Sequence, residues 1–246
     1  MIKLAVSGCL GRMGQKITNL ALQKKELFEI TTLLEYENHP NINEPFEGFA
    51  ISSNNNDIKG SDVLIEFTLP EGTLDNLKAC VKHNVAMVIG TTGIKEKGAK
   101  EIEEASKQIP IIFASNMSIG VNVLFKATEL AAKKLTEITD IAIYEEHHCH
   151  KKDAPSGTAK TLAQVAQRGS SQEVRFFPDP LREGEIIGNH EVTFDTKFDI
   201  FKLYHSAKDR DMFASGALTA AVFLKNKKSG LFNMQQVLGL DKITIH

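Results

Sequence analysis

The stretch AVSGCLGRMG, residues 5–14, places Gly8, Gly11 and Gly14 directly after an apolar run and at the start of an amphipathic segment. Glycine permits a tight turn and lets the backbone approach a pyrophosphate, which the following helix N-terminus attracts through its unpaired N–H groups. The spacing is GxxGxxG rather than GxGxxG, and turns before helices also collect glycine for structural reasons alone. By itself the loop is compatible with a dinucleotide site and with an ordinary turn.

Short β-branched runs alternate with longer amphipathic stretches through the first hundred or so residues. The apolar runs predict strands at 2–6, 29–35, 62–67, 85–90 and 109–114. Apolar residues about one helical turn apart predict helices at 12–25, 70–83 and 95–107. The stretch 38–60 lacks such periodicity and indicates a long polar connection. This alternation is typical of βαβ units, so the sequence predicts an α/β domain with a mostly parallel sheet.

Glu35 ends the second predicted strand, 21 residues after Gly14. A carboxylate at this point of a dinucleotide-binding unit accepts hydrogen bonds from the adenosine ribose, although a solvated strand end would look the same in sequence. Tyr36 and Glu37 follow, so no Arg or Lys is present to pair a 2′-phosphate, and two carboxylates would repel one. We therefore expect NADH to bind better than NADPH. Arg12 can still reach a phosphate, so the preference need not be complete.

Two further loops fall at the carboxyl ends of predicted strands, where ligands bind in open α/β sheets. They are GTTG at 90–93 and ASNM at 114–117. Both are candidates for lining a nicotinamide site, although Gly, Thr, Ser and Asn also populate ordinary turns.

The character of the sequence changes after residue 117. An apolar helix is predicted at 121–134, and the stretches 140–148, 173–177 and 191–205 alternate apolar with polar residues, as half-buried antiparallel strands do. A further helix is predicted at 213–227, followed by an apolar stretch at 230–240 that is suited to packing on a core. We therefore predict a first domain at 1–117, a second, α+β domain at 118–210, and a segment at 211–246 that returns to the first domain.

The composition excludes several classes of protein. The chain has 246 residues, a formal net charge of -2 and a pI near 6.5, so it lacks the cationic excess that nucleic-acid binding demands. No stretch reaches the roughly 18 to 20 apolar residues that span a bilayer, and we expect no membrane association. Cys9, Cys80 and Cys149 are odd in number and far apart, which argues against a disulfide framework and favours a cytoplasmic protein.

The stretch EEHHCHKKDAPSGTA, residues 145–159, concentrates histidine, lysine and carboxylate side chains before a turn. If the strand continues through it, His147 and Cys149 point to one face and His148 and His150 to the other. Imidazole and thiolate are zinc ligands, but alternation divides them between two faces, and the lysines at 151 and 152 place positive charge where a cation would sit. We therefore expect no metal. A cluster of solvated surface residues is the plainer alternative.

The turn that follows this cluster predicts an anion site. Pro155 disfavours helix at the residue before it, Ser156 is suited to capping, and a helix is predicted from about Thr158 to Arg168. Gly157 and Thr158 then offer backbone N–H groups at a helix N-terminus. With the histidines and a lysine just upstream, these groups form a pocket for a small polyanionic acid, with protonated groups placed to donate a proton. A hydride donor on one domain and a proton donor on the other describe a reductase.

Taken in order along nearly the whole chain, these stretches resemble the dihydrodipicolinate reductase (4-hydroxy-tetrahydrodipicolinate reductase) family of the bacterial diaminopimelate and lysine pathway. The motifs are GCLGRMG at 8–14, EFTLPEGT at 66–73, GTTG, ASNMSIGVN at 114–122, the histidine stretch, and GLFNMQQVLGL at 230–240. The resemblance implies a Rossmann-like dinucleotide-binding domain with a second α+β domain for substrate binding and oligomerisation. It also implies a homotetramer that uses NAD(P)H to reduce a cyclic, dehydrated dicarboxylate to tetrahydrodipicolinate.

The resemblance also implies roles for individual residues. His147 and Lys151 would be the proton-donating pair, and His148, Gly157 and Thr158 would hold the substrate carboxylates. The residues expected to contact the cofactor are Gly8, Cys9, Leu10, Gly11, Arg12, Met13, Glu35, Gly90, Thr91, Thr92, Ala114, Ser115, Asn116 and Met117.

The chain departs from some relatives at two positions near the cofactor. Those relatives carry Arg after the acidic residue of the second strand and after the FT of the third, where this chain has Tyr36 and Leu69. Both differences reinforce the expected preference for NADH. Three rival functions stay open at this stage: another NAD(P)-linked dehydrogenase of a small carboxylate, a dinucleotide-binding protein without catalysis, and a metal-binding protein.

Overall fold

The computed structural model describes residues 1–151, 153–170, 172–178 and 180–243. Its first nine helices and strands are β1 Ile2–Ser7, α1 Arg12–Gln23, β2 Phe28–Leu34, β3 Ile51–Ser52, β4 Val63–Glu66, α2 Pro70–His83, β5 Ala86–Ile89, α3 Glu96–Ser106 and β6 Pro110–Phe113. There follow α4 Ile119–Lys134, β7 Ile138–His147, α5 Gly157–Ser170, β8 Arg175–Phe176, β9 Leu181–Arg182, β10 Asn189–Thr196 and β11 Ile200–Ser206. The last are α6 Asp211–Leu224, β12 Gly230–Phe232 and α7 Met234–Val237.

The chain folds as two compact units. The first comprises Met1–Met117 with Phe213–Val237, and the second comprises Ser118–Met212 with the described residues 238–243. The sequence led us to expect the whole of 211–246 in the first domain. Of this region, Phe213–Val237 groups with the first unit, to whose sheet Gly230–Phe232 adds a strand, whereas Asp211, Met212 and the described residues 238–243 group with the second unit.

The first unit is built on a parallel sheet of seven strands in the order β12-β6-β5-β4-β1-β2-β3. Every residue of β4 and β5 is buried, because helices cover both faces of a sheet of this kind. The order reverses between β1 and β4, and the crevice at the carboxyl ends of such strands is where doubly wound sheets bind ligands. The predicted α/β architecture is confirmed.

Two short strands of this sheet were missed by the sequence reasoning. Ile51–Ser52 lies inside the predicted polar connection and pairs with β2, and Gly230–Phe232 pairs with β6. Both are edge strands of two or three residues, too short to show a periodic pattern of their own. Their structure depends on the neighbouring strand.

The second unit has a mixed sheet of five strands. β10 pairs antiparallel with β7 and β11, and β8 and β9 add to β7 in parallel. Helices α4 and α5 bury their apolar residues against this sheet, with Phe125 and Leu162 meeting Ile143 and Phe194 in the core. The sheet therefore has one face on the core and one that is largely polar, which explains the alternating pattern along β7 and β10. None of the described helices of either unit is long and apolar enough to cross a membrane.

Candidate active site

The glycine loop of the first unit is a tight turn that glycine alone allows. Gly8 follows β1 with φ at +72°, and a Cβ there would lie 2.5 Å from the carbonyl oxygen of Phe67. A Cβ on Gly14, in the first turn of α1, would lie 2.0 Å from the carbonyl oxygen of Gly8. Gly11 precedes α1 without any side-chain cap, so the first N–H groups of the helix remain available to a ligand. The loop fits the phosphates of a dinucleotide.

Glu35 reaches this loop from the end of β2. Its Oε2 accepts a hydrogen bond from the backbone N–H of Leu10 at 3.0 Å, and its Oε1 accepts one from the N–H of Tyr36 at 2.9 Å. The carboxylate is thus fixed beside the loop, where a ribose would be recognised. Cys9 is buried here, and burial, followed by the charge of Glu35, raises its pKa to about 12. The thiol is therefore unreactive at neutral pH.

The loop after β5 is only partly exposed. The ring of Phe67 packs on Gly90 so closely that a Cβ there would lie 2.1 Å from its Cζ atom. The side chain of Thr91 is buried and its Oγ1 accepts a hydrogen bond from the N–H of Thr68 at 3.1 Å, whereas Thr92 is exposed. Both threonines are predicted cofactor contacts. Only the side chain of Thr92 is exposed, whereas the side chain of Thr91 is used in a hydrogen bond within the protein.

The loop after β6 carries the remaining cofactor candidates. Ser115 is exposed, Ala114 and Asn116 are half-buried, and Met117 is buried. The N–H of Ala114 hydrogen-bonds the carbonyl oxygen of Ile89 at 3.5 Å, which ties this loop to β5. All the cofactor candidates lie in the first unit, in the loops after β1, β2, β5 and β6 and in the first turn of α1.

In the second unit, β7 brings a carboxylate and an imidazole together on its buried face. Glu145 and His147 both point inward, and His190 on β10 is the cross-strand partner of Glu145. The Oε2 atom of Glu145 lies 3.6 Å from Nδ1 of His147 and 3.8 Å from Nε2 of His190. Its Oε1 accepts hydrogen bonds from the N–H of Ser156 at 3.0 Å and from Nη2 of Arg182 at 2.7 Å. One carboxylate therefore joins the histidine strand to the start of α5 and to β9.

Burial sets the charges of this cluster. It lowers the pKa of His147 to about 4 and that of His190 to about 3. Burial by itself raises the pKa of Glu145, but the hydrogen bonds from Ser156 and Arg182 outweigh it and lower the value. At neutral pH the site therefore holds a carboxylate between two neutral imidazoles.

The three side chains of this cluster also offer ligand atoms to a metal ion. Glu145, His147 and His190 place one such atom each within 4.8 Å of one another. The guanidinium of Arg182 already forms an ion pair with Glu145. Besides burial, the positive charge of Lys151 lowers the pKa of His147. Two cations so close make the cluster electrostatically unfavourable for a third.

Lys151 and the start of α5 complete the site. The ammonium of Lys151 lies 2.7 Å from a carboxylate oxygen of Asp153. Ser156 caps α5, since its Oγ accepts the N–H of Ala159 at 3.1 Å, and the helix begins at Gly157, one residue earlier than predicted. Gly157 is exposed and Thr158 is buried. Nothing lies within 4 Å of the position that a Cβ on Gly157 would take, so this helix N-terminus is uncrowded.

The structure corrects the expected alternation at the end of this strand. β7 ends at His147, so His148, Cys149 and His150 do not alternate between faces. They lie in a turn held by a hydrogen bond from the N–H of Cys149 to the carbonyl oxygen of Gly184 at 3.2 Å. Cys149 and His150 are exposed, and His148 is half-buried. Lys152 lies outside the described residues.

Comparison with known proteins identifies the family of the chain. Residues 2–117 match the model of the N-terminal part of dihydrodipicolinate reductase, and residues 120–238 match that of its C-terminal part. The chain belongs to the dihydrodipicolinate reductase family. As a member, it is an oxidoreductase that uses a nicotinamide dinucleotide.

Similar proteins cover the chain nearly end to end. A 4-hydroxy-tetrahydrodipicolinate reductase of Pelagibacter ubique is 42% identical over 96% of this chain and 98% of its own length. A 4-hydroxy-tetrahydrodipicolinate reductase of Nitrosomonas europaea is 38% identical over 97% of this chain and 98% of its own length. A dipicolinate-bound dihydrodipicolinate reductase from Paenisporosarcina superposes with a TM-score of 0.81 at 24% identity, covering 99% and 100%, and so shares the fold.

Sequence reasoning missed three polar residues of the second unit's site: Glu145 and His190, which are buried, and Arg182, which is partly buried. Glu145 lies within the histidine stretch, and its spacing of two residues from His147 on a strand places both side chains on one face, which was the available signal. Arg182 and His190 gave no such signal, because they are distant in sequence and only the pairing of β7 with β9 and β10 brings them in.

Proposed function

We propose that this chain reduces the dehydrated cyclic product of 4-hydroxy-tetrahydrodipicolinate to tetrahydrodipicolinate, a step in diaminopimelate and lysine biosynthesis. The observation that carries the proposal is the buried cluster around Glu145, which joins the histidine strand to a capped helix N-terminus. Lys151, whose charge acts on His147 in this cluster, and the start of α5 add a proton donor and an anion site in the same unit, while the first unit provides a glycine loop suited to a dinucleotide. Family membership over both parts of the chain supports the same reaction.

The cofactor is proposed to bind the loops of the first unit. Gly8 to Met13 would hold the pyrophosphate, Glu35 the adenosine ribose, and 90–92 and 114–117 the nicotinamide side. When bound, the reduced nicotinamide supplies a hydride. The fixed position of Glu35 and the absence of a cation at Tyr36 and Glu37 support a preference for NADH, since a 2′-phosphate would meet carboxylates there.

The substrate is proposed to be a small cyclic dicarboxylate held by His148 and by the start of α5. The exposed residue Gly157 at the positive end of a helix of 14 residues suits a carboxylate. The dipicolinate in the Paenisporosarcina structure is a dicarboxylate of this kind. Arg182, already bonded to Glu145, adds positive charge to the region.

We assign the proton transfer to Lys151. His147 has its pKa lowered to about 4 by burial and so carries no proton to give at neutral pH, whereas the Lys151 side chain carries an ammonium paired with Asp153. A dianionic substrate favours the protonated form of the His147 imidazole, and Glu145 faces its Nδ1 atom to stabilise the charge if the imidazole takes up a proton. Lys151 thus acts as the general acid. His147 is its neutral partner in the proton-donating pair.

A homotetramer in the cytoplasm is also proposed. β11 is an edge strand, and large apolar side chains along its hairpin are exposed, among them Phe198, Ile200 and Tyr204. An edge of this kind is suited to cover by another copy of the chain. Light scattering of the purified protein tests the assembly, and a monomer at micromolar concentration would contradict it. Three free thiols, Cys9, Cys80 and Cys149, are compatible with a reducing compartment.

A coupled assay tests the reaction itself. Substrate is generated from pyruvate and aspartate semialdehyde, and oxidation of NADH and of NADPH is followed in parallel at 340 nm. Turnover that depends on both carbon substrates is the expected result. NADH binding without turnover on this or any cyclic imine acid would indicate a dinucleotide-binding protein, and turnover only with other carboxylates would indicate another dehydrogenase.

A further inference from the structure

A fully buried carboxyl group lies beneath the loops proposed to hold the cofactor. Glu66 is the last residue of β4 and has no exposed surface. Within the described part of the chain its side-chain partners are all uncharged. Its Oε1 accepts hydrogen bonds from the hydroxyls of Thr68 and Thr73, and its Oε2 accepts one from Nδ2 of Asn76 at 2.7 Å. Burial raises the pKa of Glu66, which favours the neutral acid.

These partners connect the carboxyl to the strands and helix around it. Asn76 lies on α2 and donates to Oγ of Ser7, the last residue of β1, at 2.8 Å. Thr73, also on α2, hydrogen-bonds Oγ1 of Thr91 at 2.9 Å. Thr91 in turn accepts the N–H of Thr68. The network therefore runs from the end of β1, through the end of β4, to the loop after β5.

The residue between Glu66 and Thr68 touches both proposed cofactor loops. A Cβ on Gly8 would lie 2.5 Å from the carbonyl oxygen of Phe67, and a Cβ on Gly90 would lie 2.1 Å from Cζ of its ring, so neither glycine has room for a side chain. Phe67 is thus held on both sides by residues whose side chains bond into the network. Glu66 fixes the position of this turn. Because close-packed backbone transmits displacement, a shift of the turn would also shift the glycine loop and the 90–92 loop that pack on it.

We propose that Glu66 is a positioning residue for the cofactor: its carboxyl fixes the Phe67–Thr68 turn between the two loops and so sets the affinity for the nicotinamide dinucleotide. This deepens the proposed function and rests on the cofactor site assigned there. Glu66 touches no reacting atom in this assignment. Its loss should therefore weaken cofactor binding while leaving the chemical step largely intact.

Titration of NADH fluorescence with Glu66→Ala and Glu66→Gln measures this effect directly, and steady-state assays add KM and kcat. We expect Glu66→Ala to raise the Kd for NADH by ~10-fold or more, the scale of losing a buried hydrogen-bonded partner, with kcat at saturating NADH within ~3-fold. Glu66→Gln has the same size and keeps both donor and acceptor capacity, so its Kd should stay within ~3-fold of wild type. An unchanged Kd in Glu66→Ala, or a Gln variant as weak as the Ala variant, overturns the proposal.

Ser61→Ala is the matched control for loss of a buried polar contact elsewhere. Ser61 is buried before the amino end of β4 and hydrogen-bonds Thr31 at 2.8 Å, away from the cofactor loops. The Kd of Ser61→Ala for NADH should equal that of wild type. If Ser61→Ala weakened NADH binding as much as Glu66→Ala does, the effect would reflect a general loss of stability, and the proposal would be overturned. If Glu66→Ala does not fold, Thr73→Val removes two bonds of the network at constant size and should still raise Kd by ~3-fold or more. No change in that variant also overturns the proposal.

The wild-type titration separates the two levels of inference. A wild-type protein that fails to bind NADH or NADPH refutes the cofactor site and with it the proposed function. A wild-type protein that binds while Glu66→Ala binds equally well refutes only the role of Glu66.

Discussion

Nδ1 of His147 lies 3.6 Å from Oε2 of Glu145, and both side chains are buried in the second unit. Burial lowers the pKa of His147 to about 4; the charge of Glu145 opposes this shift, and those of Lys151 and Arg182 add to it. The imidazole is therefore neutral in the free protein at pH 7, and Glu145 is placed to stabilise an imidazolium only after a proton arrives. This relationship decides which side chain we expect to give the proton.

Replacing Lys151 with alanine should lower kcat by ~100-fold or more, the usual scale for loss of a general acid. The Kd for NADH should not change, because Lys151 belongs to the second unit. Stopped-flow assays and NADH titration measure the two quantities. Lys202→Ala removes a lysine of the same unit from an exposed pair with Glu191 and should retain wild-type turnover. Wild-type turnover in Lys151→Ala would remove this residue from the mechanism.

Replacing His148 with alanine should raise the KM for the cyclic substrate by ~10-fold with a smaller change in kcat, since a residue that binds ground state and transition state alike affects mainly KM. Initial rates at varied substrate concentration test this. His150 is the control: it lies in the same turn, its side chain is exposed, and His150→Ala should behave as wild type. If KM is the same in His148→Ala and wild type, His148 does not bind the substrate.

A cation introduced beside Glu35 should shift the choice of cofactor. Wild type should show a higher kcat/KM with NADH than with NADPH, and Tyr36→Arg should raise the NADPH-to-NADH ratio by ~10-fold or more, since Arg pairs phosphate in a bidentate manner. Tyr36→Phe removes only the hydroxyl, which accepts from Asn38, and should leave the ratio unchanged. A clear NADPH preference in wild type would contradict the charge argument.

The buried histidines should make stability fall on mild acidification. The pKa of His190 is lowered by burial, and further by His147, from its ordinary 6.5 to about 3, so below pH 6.5 the unfolded chain takes up a proton that the folded protein refuses. The stabilisation is thus complete above pH 6.5 and is lost as the pH falls towards 3. Between pH 7.5 and 5.0 this amounts to about 2 kcal/mol for one such histidine.

Urea unfolding of His190→Gln at the two pH values measures that difference. The variant should lose about 2 kcal/mol less than wild type between pH 7.5 and 5.0, whatever its stability at the higher pH. His150→Gln alters an exposed histidine and should keep the wild-type dependence. The same pH dependence in His190→Gln and wild type would show that His190 is not held neutral by burial.

Local features of the sequence were enough to predict most of the fold. The first strand was predicted at 2–6 and is found at Ile2–Ser7, and the helix predicted at 70–83 is found at Pro70–His83. These elements carry their own signal, because the apolar residues of one strand or helix repeat with its period. Ile51–Ser52 carries no such signal, since it forms only by pairing with β2.

The residues of the candidate sites likewise fall into those that a local sequence pattern reveals and those that only the tertiary structure brings together. His147, Lys151 and the start of α5 lie within a few residues of one another, so their joint appearance could be recognised from the sequence, as could the glycine loop. The amino-acid sequence alone therefore determined the family and the type of chemistry. The tertiary structure decided the protonation of His147, the arrival of Arg182 and His190 beside Glu145, and the burial of Glu66 beneath the loops. Charge state and burial depend on neighbours that strand pairing brings from distant parts of the chain, and no local pattern records them.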